Sequence, residues 1–115
     1  MKHSIQTVQQ SLICFFEQVA QKDIHQLKCL EQDHHFCLNG ESWCFTLPDL
    51  HRFLQHQNDI FSSVEYSQFR QLLFNCPINQ MTKQHGAHII IHNNLFKVDQ
   101  SQYALVWQEA LHERT

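Results

Sequence analysis

His35, Cys37 and Cys44 are the side chains of this sequence best suited to chemistry by type and spacing. They sit in the stretch His35-Phe36-Cys37-Leu38-Asn39-Gly40-Glu41-Ser42-Trp43-Cys44-Phe45. Asn-Gly between two apolar runs is the strongest short-range signal for a β-hairpin. A loop at Asn39-Gly40 sets Leu38 against Glu41, Phe36 against Trp43 and His35 against Cys44. One face then carries Phe36, Leu38, Trp43 and Phe45. The other carries His35, Cys37 and Cys44, thiol and imidazole groups of the kind zinc takes as ligands. Cys29 and His34 lie nearby in the sequence. A closed zinc site needs a full tetrahedral set and favours a Cys-x2-Cys knuckle, which this chain lacks. His85, His88 and His92 form a second group, but Gly86 divides it between two elements. The plainer reading packs Cys37 and Cys44 as small hydrophobes and leaves His35 at an edge. No cofactor is expected.

Other bond-making chemistry finds little footing. A nucleophile needs a Cys or Ser beside a His that a third group orients. With five Cys and ten His some such proximity arises by chance, and no Gly-x-Ser-x-Gly elbow is present. Gly40 and Gly86 are the only glycines, which precludes a glycine-rich phosphate loop. Glu17, Asp23, Glu31 and Asp33 suit solvated or capping positions rather than paired acid–base work. The chain is therefore read as not an enzyme.

The elements that must position these groups follow from apolar spacing and turn chemistry. A chain of 115 residues, 43% hydrophobic with nine Phe and two Trp, is long enough for one aromatic-rich core. Ile5, Val8, Leu12, Phe15, Phe16 and Val19 predict an amphipathic helix over 5–21, with Ser4 as its N-cap. Asp23 with Gln26 predicts a second helix over 24–32. After the hairpin, Thr46-Leu47-Pro48-Asp49 is a helix start, and that helix runs to about Gln57. Ser62 with Glu65 reads as a capping box for a helix with Tyr66, Phe69, Leu72 and Leu73 inward, ending before Pro77. A short helix from Ile78 to Gln84 closes at Gly86. Ala87 to His92 predicts a strand that turns at Asn93-Asn94 and returns over 95–98. Tyr103, Trp107, Ala110 and Leu111 fit a helical stripe, so the tail over 99–115 is read as helix, although Tyr-Ala-Leu-Val-Trp also suits a strand.

The expected fold is α+β, one domain over 1–115. Residues 1–46 form a layer of N-terminal helices and hairpin, and residues 47–98 form three helices followed by a hairpin. That second order is similar to a winged helix-turn-helix module. There the third helix enters the DNA major groove and the hairpin wing touches the backbone. The resemblance lies in element order alone and implies Asn79, Gln80, Lys83 and Gln84 as readers of base edges, with Lys97 and Arg70 on phosphates. Charge argues the other way. The formal net charge is −3, and residues 47–98 carry only Arg52, Arg70, Lys83 and Lys97 against Asp49, Asp59 and Glu65. Binders of this kind show a denser basic stripe.

The favoured reading is a small non-catalytic interaction or regulatory protein that acts through a protein partner. Phe16, Trp107 and Leu111 are the candidate contacts, and a homodimer through residues 1–46 is a further expectation. The alternative is the winged-helix-like DNA binder, and the third is a zinc-dependent structural domain. The odd number of Cys and the lack of an apolar signal or spanning run point to a reduced cytoplasmic location with no membrane partner.

Overall fold

A computed structural model describes residues 5–93 and 101–107. Among these residues, five α-helices and a four-stranded antiparallel sheet make an α+β structure. Helix α1 (Ile5–Ala20) and helix α2 (Ile24–Gln32) are joined through Lys22, whose φ is 60°. Asp23 Oδ2 accepts from the Gln26 N–H at 3.0 Å and starts α2. Helix α3 (Leu47–Gln57) begins as its residues dictate, with Thr46 Oγ1 accepting from the Asp49 N–H at 3.4 Å and Pro48 in the first turn. Asn58 then caps a short 3-10 helix, Asp59–Ser63, through the Ile60 N–H at 3.1 Å.

Helix α4 (Tyr66–Asn75) starts later than the Ser62 cap predicts. Val64 is extended, and its carbonyl accepts from His51 Nε2 at 3.0 Å, which breaks helical continuity before Glu65. Glu65 becomes the N-cap, and Gln68 Oε1 accepts from its N–H at 3.4 Å. Helix α5 (Ile78–Lys83) follows Pro77, and Gly86 ends the turn with φ 79°, a conformation that suits glycine.

The strands are β1 (Cys37–Leu38), β2 (Ser42–Phe45), β3 (Ala87–Asn93) and β4 (Gln102–Trp107), in the order β1-β2-β4-β3. Two expectations are corrected here. Residues 102–107 are a strand rather than part of a helix. It pairs with β3 on one side and with β2 on the other, so the first hairpin and strand β3 join one sheet. The expected return strand 95–98 and the Ser4 cap lie outside the described residues.

The first hairpin also closes differently. Cys37 pairs with Cys44 and Leu38 with Trp43, so the loop is Gly40-Glu41. Asn39 stays on the strand side, and its Oδ1 accepts from the N–H groups of Glu41 (2.7 Å) and Ser42 (2.9 Å). That side-chain turn replaces the positive-φ turn, and Gly40 has no positive φ. The displacement preserves parity, so the two faces keep their predicted residues.

A row across the inner face runs Leu38, Trp43, Leu105, Ile89. Helix α1 lies on this face and buries Val8, Leu12, Phe15, Phe16 and Val19. Trp43 stacks on Phe45 at 4.3 Å and meets Phe36 edge-on at 5.4 Å. Phe15, Phe16 and Phe53 complete the aromatic cluster. The outer row is Cys37, Cys44, Ala104, Ile90. Among the described residues no helix is long and apolar enough to cross a membrane.

His51 is a buried polar anchor of α3. It stacks on Phe69 at 4.7 Å, and its bond to Val64 makes Nε2 the protonated nitrogen. Burial pushes its pKa below the ordinary 6.5, and the carbonyls of Val64 and Phe61 pull back only in part. The unfolded chain then binds the proton more readily, so stability rises with pH in this window. Stability is complete above about pH 6.5 and falls as pH drops from there towards the lowered folded value. Chemical denaturation across that range should show this acid limb, and His51→Phe should flatten it while costing about 1–3 kcal/mol at neutral pH.

Candidate functional site

An apolar cleft of about 530 Å³ lies between the end of α4, the start of α5 and β3. Pro77 creates it. Its ring ends α4 and forces Cys76 into an extended conformation, so the chain turns sharply before Ile78. Phe74, in the last turn of α4, is left pointing outward at 56% exposure. Across the cleft, β3 presents Ile91 at 55% exposure, while the neighbouring Ile90, 41% exposed, leaves the outer face of the sheet. Phe16, Phe45 and Tyr103 form the floor. Among the described residues, no Asp, Glu, Lys, Arg or His lines it. Burial pushes the Cys76 thiol up, with a bond from Gln9 opposing, so this lining residue stays neutral. The volume falls within the ~300–1,000 Å³ of ordinary binding pockets.

Asn79 shapes one wall. Its Oδ1 accepts from the Ile89 N–H at 2.7 Å, and its Nδ2 donates to the Ile89 carbonyl at 3.4 Å. Ile89 pairs with Leu105 of β4 on its other flank only through its neighbours, because its own backbone groups point to the outer edge. The Asn79 carboxamide therefore stands where another strand's peptide group would sit, and it blunts the edge of β3. Asn79→Ala should cost about 1 kcal/mol. It should also raise concentration-dependent self-association above that of the parent, as read by sedimentation velocity.

Of the expected nucleic-acid residues, Gln80, Lys83 and Gln84 are exposed at the spacing of one helix face. Asn79 is committed to β3, and Gln80 lines the apolar cleft. Lys83 and Gln84 line a separate, more polar cleft with Lys22, His85 and Trp107. There His85 Nε2 lies 3.3 Å from Glu17 Oε2. Arg70 stands over the Tyr66 ring at 5.9 Å. Lys97 lies outside the described residues.

The metal expectation is corrected as well. The His35 ring bonds Asp33 at 3.0 Å and stacks on His34. Burial raises the Asp33 carboxyl, but the His35 bonds and the Arg52 guanidinium outweigh it and hold the group below its usual range. Among the described residues no three His, Cys, Asp or Glu side chains are grouped to hold a metal ion. Cys37 and Cys44 are left facing each other.

Two expected partner contacts are core residues. Phe16 is fully buried among Phe15, Trp43 and Phe45. Trp107 is buried, and its Nε1–H donates to the Val19 carbonyl at 3.1 Å. Leu111 lies outside the described residues. Phe74, Ile90 and Ile91 are the exposed apolar residues that sequence reasoning passed over. Their signals were present: Phe74 falls off the inner stripe of α4, and an Ile-Ile-Ile strand must turn at least one isoleucine away from the core. No family model, curated protein or solved structure matches this chain.

Proposed function

We propose that this chain is a non-catalytic intracellular interaction protein that seats an uncharged apolar segment of a protein partner between α4, α5 and β3. The observation that carries this reading is the meeting of exposed Phe74 and Ile91 at a cleft with no charged lining residue among the described residues. Clustered exposed apolar groups mark interaction surfaces, whereas single ones do not. The neutral lining selects against polyanions and ionic ligands, because a charge brought there would lose its water and gain no partner. Five free cysteines suit a reducing compartment.

A photo-cross-linking residue at position 74, used in cells, identifies the occupant. The purified partner segment is then titrated against Phe74→Asp and against Ile24→Asp, an exposed control outside the cleft. Phe74→Asp should weaken binding at least ~10-fold, with Ile24→Asp unchanged. Equal affinities for the two variants, or cross-links only to a second copy of this chain, overturn the reading. The alternative, a winged-helix-like DNA-binding regulator, draws on the order α3-α4-α5-β3-β4 and on exposed Lys83 and Gln84. A low-salt mobility shift that Lys83→Ala weakens would support it.

A further inference from the structure

Cys37 and Cys44 stand directly opposite each other on neighbouring antiparallel strands. Opposed residues in such a pair have Cα atoms about 4.5–5.5 Å apart, inside the ~4.4–6.8 Å that a disulfide spans. Both side chains leave the same face of the sheet. The Asn39 N–H donates to the Ser42 carbonyl at 3.0 Å, and two residues further along the ladder the Cys37–Cys44 pair is hydrogen-bonded too. Cβ atoms in that setting lie roughly 5 Å apart, against ~3.8 Å in a relaxed disulfide. A bond here closes with some strain, which makes it readily reduced. Strand β1 is two residues long and lies at the sheet edge, so little must move. Cys37 is exposed and Cys44 half-buried. The sulfurs sense each other: burial raises the Cys44 thiol first, and neighbouring Cys37 raises it further.

We propose that Cys37 and Cys44 form a reversible dithiol–disulfide site that low-molecular-weight disulfides oxidise. Exposed Cys37, as thiolate, attacks one sulfur of the incoming disulfide and breaks its S–S bond. One small thiolate leaves, and a mixed disulfide remains on Cys37. Cys44 then loses its proton, attacks Cys37 Sγ and expels the second small thiolate. The two cysteines are oxidised, the small disulfide is reduced to two thiols, and the two cysteine protons end on those thiols. Neither cysteine lines the apolar cleft, so the site stands apart from partner binding.

The test uses the full chain equilibrated with mixtures of reduced and oxidised glutathione. Free thiols are blocked, the chain is cut after Glu41 between the two cysteines, and the peptides are read by mass spectrometry. A disulfide joining the Cys37 and Cys44 peptides, released by dithiothreitol, is the expected result. Cys44→Ser should trap glutathione on Cys37 at least ~10-fold more than the parent does, because nothing resolves it. Exposed Cys14 and Cys29 report that the oxidant is active. If a mixture that modifies them leaves Cys37 and Cys44 free, or each with its own glutathione, the proposal is overturned.

Discussion

Truncating Trp43 to alanine should lower the unfolding free energy by about 3–5 kcal/mol, out of a typical ~5–15 kcal/mol. Trp43 is fully buried and touches Phe15, Phe16, Phe36 and Phe45, so its removal empties the meeting point of α1, the hairpin and α3. Neighbouring rings are stiff and cannot collapse into the space, which adds a cavity cost to the lost burial. Trp43→Phe should be much milder. The Trp43 Nε1–H is buried with no hydrogen-bond partner among the described residues, so phenylalanine deletes an unmatched donor along with some area. Urea midpoints of the two variants measure the contrast. Equal losses would show that the indole nitrogen has a partner in solution.

Trp107→Ala should also cost about 3–5 kcal/mol, for a different set of reasons. Its ring closes the sheet against the end of α1, its Nε1–H donates to Val19, and Lys22 Nζ lies 5.1 Å from the ring centroid. Its backbone N–H donates to the Glu41 carbonyl at 3.0 Å, which ties β4 to the hairpin loop. Trp107→Phe keeps most of the burial but loses the Val19 bond, a further cost of about 1 kcal/mol that Trp43→Phe does not carry. A tryptophan serving as a partner anchor would behave otherwise: binding would fall while the melting curve stayed in place. Thermal melts of Trp107→Ala therefore distinguish the two roles directly.

Local chemistry was legible from sequence where one side chain decides the outcome. Asp23 and Thr46 cap the helices they were expected to cap, and Gly86 ends α5. Phe36, Trp43 and Phe45 share a face and receive α1, as the alternation requires. What was not legible depends on distant partners. Tyr103, Leu105 and Trp107 alternate as a strand should, yet Tyr103 and Trp107 also satisfy helical spacing. Backbone groups left open on β2 and β3 choose between these, because a strand satisfies both edges at once. The hairpin loop moved because Asn39 uses its side chain, not its backbone, to make the turn. The cleft was invisible for a related reason: a residue's distance from a helical stripe says it is exposed, not which other exposed residues it will meet.

The position of β4 between β2 and β3 has a consequence for biogenesis. During translation the hairpin and the Ile-rich β3 leave the ribosome first, and each lacks the neighbour that would complete it until Gln102–Trp107 follows. The sheet closes by inserting its latest-made strand, so β2 waits with an open margin from Phe45 until Gln102 is made, and β3 waits only from Asn93. The Asn79 clamp covers the opposite edge of β3, so the margin that awaits β4 stays open during that interval.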